Sequence, residues 1–234
     1  RCPPGPYERV CQVAFYFKHN KPNAKVVVLD ANDVIQSKPK LFQAAWDTYY
    51  KGMIDYRPNW NVTEIDARKK VVTSELGDSV KADVLNILPP MRGGDIARKM
   101  NLLNVNQRWA GIDWVTMESA VVPGVHVIGD AVFAAPQMPK SGHMANSHAK
   151  VAAAAIVAEL GGFEINQAPV LTNTCYSFVN ADEVVHVSSV HQYDAKDKTF
   201  KTVPGSGGLS AEPTKLEGVY AWGWARNIWA DSLG

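Results

Sequence analysis

Hydrophobic positions with helical spacing mark several helices along the chain. In residues 7–15 the apolar side chains fall on one stripe, and Pro6 with an early glutamate is typical of a first helical turn. A second stripe covers residues 41–49 and follows a proline. Residues 141–160 have the strongest pattern, because small polar residues lead into four alanines and a Gly-Gly pair ends the run. A short helix is predicted near residues 95–100.

Short runs rich in β-branched residues predict strands between these helices. Residues 25–30 and 82–88 have the pattern of buried parallel strands, and residues 124–130 predict a strand that ends in Gly129-Asp130. Residues 53–73 alternate in short runs, which is typical of an antiparallel hairpin or meander. Helices that alternate with buried parallel strands predict an α/β fold.

The sequence changes character after residue 162. Strands are predicted near residues 170–178 and 184–191, and a Gly-rich loop and a Trp-rich terminal helix follow them. Together these elements indicate a separate α+β module. The chain also opens with a Pro-rich loop, a helix and a strand, which is the order of a βαβ unit without its first strand. We therefore expect the chain to be a piece of a longer precursor.

Composition narrows the class of protein. The 234 residues are 46% hydrophobic and 20% charged, which is ordinary for a globular protein and excludes a disordered or collagen-like chain. A net charge of +1 provides no overall basic field for nucleic acid or an anionic membrane. The longest apolar run, near residues 151–157, is too short to span a bilayer. The three cysteines have no Cys-x-x-Cys or Cys/His ligand spacing, so no metal site is predicted.

The predicted strand end at Gly129-Asp130 and the helix start at Ser141 are the first candidate for chemistry. A carboxylate at the C-terminal edge of a strand can accept hydrogen bonds from a ribitol or ribose hydroxyl. A helix N-terminus offers free N–H groups and the positive end of a dipole. This pair suits a reduced flavin, whose pyrimidine edge gains negative charge. The alternative is a surface Gly-Asp turn before an ordinary helix, but the longer string from Thr116 to Asp130 favours cofactor contact.

The cysteines are the second candidate. Cys11 lies on the apolar stripe of the first helix and is predicted to be a buried, inert thiol. Cys2 and Cys175 each lie beside residues that interrupt regular structure, and a bond between them would join the first part of the chain to the last. Their spacing fits a purely structural disulfide, which would close a long loop, and it fits a redox-active pair equally well.

Three strings in the chain resemble one known family. They are RCPPGPYER at residues 1–9, VIGD at 127–130 together with MPKSG at 138–142, and LTNTCYS at 171–177. These strings are similar to the flavoprotein subunit of flavocytochrome c sulfide dehydrogenase, and the resemblance extends over essentially the whole chain. It implies FAD as the cofactor and a c-type cytochrome subunit, which carries the haem, as the partner.

The resemblance also implies the domain organisation. The family has a glutathione-reductase-like α/β fold with two dinucleotide-binding-like domains, followed by a C-terminal α+β domain. We expect residues 1–81 to be the remainder of the second nucleotide-binding-like domain, residues 82–162 the C-terminal part of the FAD-binding domain, and residues 163–234 the C-terminal interface domain. The N-terminal FAD-binding segment of the family, which carries the Gly-rich pyrophosphate loop, has no counterpart in this sequence.

The resemblance assigns roles to individual residues. Cys2 and Cys175 match the cysteines of the family's redox-active disulfide, and Glu8 matches a carboxylate beside it that is a candidate base for hydrogen sulfide. A carboxylate that only favours the helix start is the alternative for Glu8. The residues expected to contact the cofactor are Gly129, Asp130, Lys140, Ser141, Gly142 and Trp224. Trp224 matches an aromatic residue between flavin and haem, and plain packing is its alternative.

The implied activity is the oxidation of sulfide to sulfur or polysulfide through the disulfide, with electrons passing from FAD to the cytochrome. A c-type partner and an oxidised cysteine pair imply the periplasm, where disulfides persist. Two alternatives stay open from the sequence. The chain can belong to a sulfide:quinone or pyridine-nucleotide disulfide oxidoreductase, or it can be a catalytically inert fragment or a cytochrome-docking module.

Overall fold

A computed structural model describes residues 3–234, and the element bounds below refer to that part of the chain. Its helices are α1 Gly5–Asn20, α2 Pro39–Tyr49, α3 Asp95–Lys99, α4 Gly142–Gly161 and α5 Lys215–Leu233. Its strands are β1 Val26–Leu29, β2 Ile54–Arg57, β3 Val62–Asp66, β4 Val71–Ser74, β5 Ser79–Lys81, β6 Val170–Phe178, β7 Val184–Asp194, β8 Thr199–Thr202 and β9 Gly208–Leu209.

All five predicted helices are confirmed, and local chemistry explains their ends. The α4 helix begins after Ser141, whose hydroxyl accepts a hydrogen bond from the backbone N–H of Met144, and it ends at Gly162 in the left-handed conformation. Helix α5 begins in the same way after Thr214, which accepts from the N–H of Glu217. Helices α1 and α2 each have a proline in the first turn.

The strands of the first 81 residues form two small sheets. Strands β1 and β2 pair in parallel, which confirms the parallel strand predicted at residues 25–30, although that strand is half-buried and not fully buried. Strands β3, β4 and β5 form an antiparallel meander. The antiparallel hairpin predicted for residues 53–73 is therefore confirmed for β3 and β4. Strand β2, which lies in the same range, is not part of this hairpin and pairs with β1.

Two predicted strands are wrong. Residues 82–88 form no strand, because this segment has no neighbouring strand to pair with among the described residues. Its apolar side chains are therefore not covered, and that of Val84 is 81% exposed. Residues 124–130 form only an isolated bridge at His126 and then a short 3-10 helix, Gly129–Ala131. Gly129 turns the backbone there with a φ of 65° toward α4, so the segment cannot stay extended.

The last part of the chain is an antiparallel sheet in the order β6-β7-β8, with β9 pairing with β7. It confirms the two predicted strands and adds the short strands β8 and β9. Leu171 and Phe200 of this sheet join a core built around α4, and Val179 and Val185 join a second core built around α1 and α2. The β6–β7 hairpin therefore contributes to both cores. The domain boundaries at residues 82 and 163 stay a prediction.

Among the residues that the structure describes, no helix combines the length and the apolar character needed to cross a bilayer.

Candidate functional site

Strand β6 carries Cys175 on its buried face. Burial alternates along the strand, so that Asn173, Cys175 and Ser177 share one buried face. The Cys175 side chain is 7% exposed, and its Sγ lies 3.4 Å from Nδ2 of Asn173, within hydrogen-bond range for sulfur. Its predicted partner, Cys2, lies outside the described residues, so the pairing of these cysteines stays a prediction.

Asn173 connects this cysteine to the start of α4. Its Oδ1 accepts a hydrogen bond from the hydroxyl of Ser141 at 2.5 Å, and both side chains are buried. Ser141, Asn173 and Cys175 therefore form a chain of polar contacts that runs from the helix N-terminus to the sulfur. Two of these residues were predicted from the sequence. Asn173 was missed as a contact residue, although it stands two positions before the cysteine, the spacing that places two side chains on one face of a strand.

Glu8 reaches the other end of β6 from α1. Its Oε1 accepts a hydrogen bond from the backbone N–H of Phe178 at 2.8 Å. Burial raises the pKa of the Glu8 carboxyl, while the bond from Phe178 and the charge of Lys38 act in the opposite direction. A carboxyl with a raised pKa can exchange protons nearer neutral pH, which is the property required of a general base or acid.

Lys38 is a site residue that the sequence did not reveal. Its side chain is 3% exposed, and its Nζ donates to the carbonyl of Cys175 at 2.9 Å, to Oγ of Ser177 at 2.9 Å and to the carbonyl of Val185 at 3.3 Å. The available signal was its position directly before the helix-starting Pro39, where a residue with a side-chain acceptor is usual. Its backbone is left-handed, with a φ of 53°.

Gly129 and Asp130 lie beside α4 on the other side of this helix start. A Cβ at Gly129 would come within 3.0 Å of Cβ of Ala145, and the Gly129 N–H donates to Nδ1 of His148 at 3.1 Å. Only glycine permits this approach with a positive φ. Asp130 is exposed, and its backbone carbonyl, not its carboxylate, accepts from Nζ of Lys140 at 2.8 Å. The Asp130 carboxylate thus faces the surface, where a ligand hydroxyl can reach it.

Lys140 is held internally. Its buried ammonium donates to the carbonyls of Asp130 and Val132 and lies 3.9 Å from the ring centroid of Trp109. Burial lowers its pKa, and Asp130 partly offsets that effect. These contacts fix the loop before α4. The predicted contact between Lys140 and the cofactor stays a prediction.

The start of α4 itself is open. Gly142 is its first residue, and a Cβ built there meets no atom within 4 Å. The positive dipole end of the helix is therefore accessible at this point. Inside the helix, Nε2 of buried His148 has no hydrogen-bond partner among the described residues. Burial, with the nearby charges of Lys140 and His191, lowers the pKa of His148 to about 4.

The open helix start and the unpartnered imidazole fit a bound group with hydrogen-bonding edges, because native proteins rarely leave a buried donor unpaired. His148 was missed in the sequence, where it is one of several small and polar residues in an Ala-rich helix.

Trp224 packs on the opposite face of β6 from Cys175. Its ring centroid lies 5.9 Å from that of His143 in the first turn of α4 and 6.1 Å from that of Tyr176. His143 also accepts the N–H of Thr174 through Nδ1 at 2.9 Å. Within the described part of the chain, Nε1 of Trp224 is buried without a hydrogen-bond partner. The structure thus brings Trp224, Cys175 and Ser141 around the junction of α4 and β6.

Two family models match the chain. Residues 1–89 match the model described as sulfide dehydrogenase (flavocytochrome c) flavoprotein chain, central. Residues 167–233 match the model described as flavocytochrome c sulphide dehydrogenase, flavin-binding. Together the two matches cover about two thirds of the chain, and they contain Cys2, Glu8 and Lys38 in the first and Cys175 in the second.

Solved structures support the fold. The sulfide:quinone oxidoreductase of Aquifex aeolicus superposes with a TM-score of 0.65 at 13% identity, over 96% of this chain and 54% of that one. A chain of the Tetrahymena thermophila mitochondrial ATP synthase structure gives a TM-score of 0.52 at 17% identity, over 75% of this chain and 44% of that one. This chain therefore spans about half the length of these relatives. The first likeness confirms the predicted α/β fold class.

Proposed function

Since the chain belongs to the flavoprotein family of flavocytochrome c sulfide dehydrogenase, whose cofactor is FAD, we propose that the intact protein oxidises sulfide at a disulfide between Cys2 and Cys175. The observation that supports this most directly is the hydrogen bond from Phe178 to Glu8, two residues 170 positions apart. It attaches the helix that follows Cys2 to the strand that carries Cys175. Both matched segments of the family thus contribute to one site.

The first step uses only groups of this chain and the substrate. Glu8 accepts a proton from hydrogen sulfide, and the resulting hydrosulfide attacks the disulfide. One S–S bond breaks and another forms, which leaves a persulfide on one cysteine and a thiolate on the other, with no net oxidation. A second hydrosulfide removes the outer sulfur as HSS⁻ and leaves that cysteine as a thiol.

The cysteine pair then closes again to the disulfide and gives up two electrons and one proton. Two hydrosulfides have by then become one HSS⁻, one proton and two electrons. FAD supplies the acceptor for the electron pair and the means of passing electrons on singly. The residues proposed to orient it are Asp130 at a hydroxyl of the cofactor and the N-terminus of α4, at Ser141 and Gly142, at its electron-rich edge.

We propose a c-type cytochrome subunit as the final electron acceptor, in the periplasm. Trp224 lies between the start of α4 and the aromatic surface of α5, where Trp222 and Trp229 are half exposed. Aromatic side chains with exposed faces are common at protein interfaces. The measurement is the reoxidation of the sulfide-reduced protein by a c-type cytochrome and, separately, by a soluble quinone. Faster reoxidation by the quinone would replace this acceptor with the alternative one.

The central experiment is Cys175→Ser in the intact, FAD-loaded protein. Mixing with sulfide under anaerobic conditions should no longer bleach the flavin absorbance, because the disulfide cannot form. Cys11→Ser is the matched control, since Cys11 is buried in α1 and a serine oxygen can still accept the bond from Trp46. It should reduce normally. Undiminished flavin reduction in Cys175→Ser would remove the cysteine pair from the reaction.

A further inference from the structure

The imidazole of His148 holds the turn that contains Gly129 and Asp130. Its Nδ1 accepts the backbone N–H of Gly129 at 3.1 Å, and its side chain is 1% exposed. A neutral imidazole has one N–H and one nitrogen lone pair, so an Nδ1 that accepts a hydrogen bond leaves the proton on Nε2. The contact therefore defines both the charge of His148, which is neutral, and its tautomer.

The turn is held at two points. Gly129 has a φ of 65°, and a Cβ there would come within 3.0 Å of Cβ of Ala145, so the turn lies directly against α4 one helical turn before His148. On its carbonyl side, Nζ of Lys140 donates to the backbone oxygens of Asp130 and Val132. His148 thus fixes the N–H end of the turn, and Lys140 fixes the carbonyl end.

Protonation of His148 would undo the first of these contacts. A protonated imidazole carries an N–H on both nitrogens and accepts no hydrogen bond. Its Nδ1–H would then face the N–H of Gly129, and two donors at this distance repel each other. The turn would have to move away from α4, and the carboxylate of Asp130 would move with it.

We propose that His148 is a positioning residue for FAD, whose neutral imidazole holds the turn at Gly129 and Asp130 in the position that presents the Asp130 carboxylate to the cofactor. The proposal rests on the function proposed above, in which Asp130 binds a hydroxyl of FAD. Because only the neutral form of His148 supports this position, FAD should bind more weakly in acid.

The surroundings of His148 determine where this weakening occurs. Burial first, and then the charge of Lys140 from the loop before α4 and of His191 from β7, lower the pKa of His148 to about 4. Burial also lowers the pKa of His191, and the carboxylate of Asp130 acts on Lys140, whose pKa it raises. His148 is therefore neutral at pH 7, and the turn is held until the pH approaches 4.

Two substitutions separate the acceptor from the shape of the side chain. Asparagine and leucine have nearly the same size, and Oδ1 of asparagine can take the place of Nδ1 in front of the Gly129 N–H. His148→Leu should weaken FAD binding to the intact protein about tenfold, because that N–H loses its acceptor. His148→Asn should bind FAD like the parent at pH 7, and its affinity should not fall toward pH 4, because asparagine does not titrate.

The measurement is a titration of the FAD-free protein with FAD, followed by flavin fluorescence, with circular dichroism at each pH to restrict the comparison to folded protein. His191→Gln is the control for the loss of a buried histidine. The ring nitrogens of His191 contact Ser189 and Thr202, so this variant should keep the FAD dissociation constant of the parent. Equal dissociation constants for His148→Asn and His148→Leu would overturn the proposal.

A second measurement needs only the parent protein and applies if the His148 variants do not fold. Nitrogen-15 NMR of the histidine rings should find the proton of His148 on Nε2 at pH 7, and the Gly129 amide signal should shift with the same midpoint as His148 in acid. A proton on Nδ1 at pH 7 would overturn the proposal.

Asp130→Ala distinguishes this proposal from the one on which it rests. It should also weaken FAD binding about tenfold, because the carboxylate is removed while the backbone carbonyl that Lys140 contacts is kept. Unchanged affinity in Asp130→Ala would remove the proposed contact between Asp130 and FAD, and the role of His148 with it. Weaker binding in Asp130→Ala, with equal constants for the two His148 variants, would remove only the role of His148.

Discussion

The hydroxyl of Ser141 donates to Oδ1 of Asn173 at 2.5 Å and at the same time accepts the N–H of Met144 at 3.1 Å. One side chain thus caps the N-terminus of α4 and also holds the strand that bears Cys175. Ser141 therefore links the start of α4 to the strand of Cys175, so that a displacement of one would displace the other.

Ser141→Ala tests this double role. Loss of the cap costs about 1 kcal/mol, and leaving the buried Asn173 amide without its partner costs roughly a further 1–3 kcal/mol. Thr214→Ala is the matched control, because Thr214 caps α5 through the N–H of Glu217. Its expected cost is only about 1 kcal/mol. Urea unfolding of both variants gives the comparison, and equal losses of stability would contradict the link to Asn173.

Two glycines of α5 should respond oppositely to alanine. A Cβ at Gly218 would lie 2.1 Å from the carbonyl oxygen of Asp182, whereas a Cβ at Gly223 meets nothing within 4 Å. Gly218→Ala should therefore lower the free energy of unfolding by more than about 1 kcal/mol through backbone displacement. Gly223→Ala should raise it by about 0.5–1 kcal/mol, because alanine favours the helix. Thermal unfolding of the two variants tests this prediction. Changes in the free energy of unfolding that have the same sign in both variants would contradict it.

Glu8→Gln should change how stability depends on pH. Burial raises the pKa of Glu8 in the folded state above its ordinary value, so the folded carboxyl keeps its proton at a pH where the unfolded one loses it. The parent protein therefore loses stability as the pH rises through that interval. The Glu8→Gln variant does not lose stability in this way, because glutamine has no titrating carboxyl, and its side-chain oxygen can still accept the N–H of Phe178. The stability of Glu8→Gln relative to the parent should increase from pH 4 to pH 8. A constant difference in denaturation free energy over this range would exclude a raised pKa.

His148 should destabilise the fold in acid. Its folded pKa of about 4 lies below the unfolded value of 6.5, so the unfolded state binds a proton that the folded state does not bind between these values. Stability is therefore lost as pH falls from 6.5 toward 4, by up to about 3 kcal/mol. Histidine ring NMR gives the folded pKa directly, with His148→Gln to identify the resonance. An imidazole that is protonated at pH 6 would contradict the burial of an unpaired Nε2.

Cys11 should resist alkylation in the folded protein. It is fully buried, the indole N–H of Trp46 lies 3.2 Å from its sulfur, and burial raises its pKa to about 12. Thiolate, the reactive form, is therefore scarce at pH 8. Peptide mass spectrometry after iodoacetamide treatment should find Cys11 unmodified in native protein and modified in guanidinium chloride. Rapid native labelling would show that α1 opens.

The helices were predictable because their signals are local. A proline in the first turn, a capping serine and a closing glycine act within a few residues, so α1, α2 and α4 follow from the sequence alone. The strands at residues 82–88 and 124–130 were not predictable in this way. A strand requires a neighbour, and β-branched residues indicate only that a segment suits a sheet.

The residues of the candidate site also differ in whether the local sequence predicts them. Ser141 and Cys175 stand in recognisable strings, whereas Lys38 acquires its role from β6, which the chain reaches more than a hundred residues later. Asn173 shares the string of Cys175, but its role depends on contact with Ser141 at the start of α4. No local pattern distinguishes a lysine that will be buried against β6 from one on the surface. The periodicity of β6 was visible, but the groups that its buried face would meet were not.

The alternation of β6 also limits how this strand can change during evolution. Asn173 and Ser177, which share a face with Cys175, contact Ser141 and Lys38. On the opposite face, Thr172 and Tyr176 contact the rings of His143 and Trp224. Inserting or deleting one residue within the strand would move each set of side chains to the opposite face of the sheet, where its present partners are absent. We therefore expect related sequences to keep the length of this segment fixed, and differences in length should occur in the turns on either side.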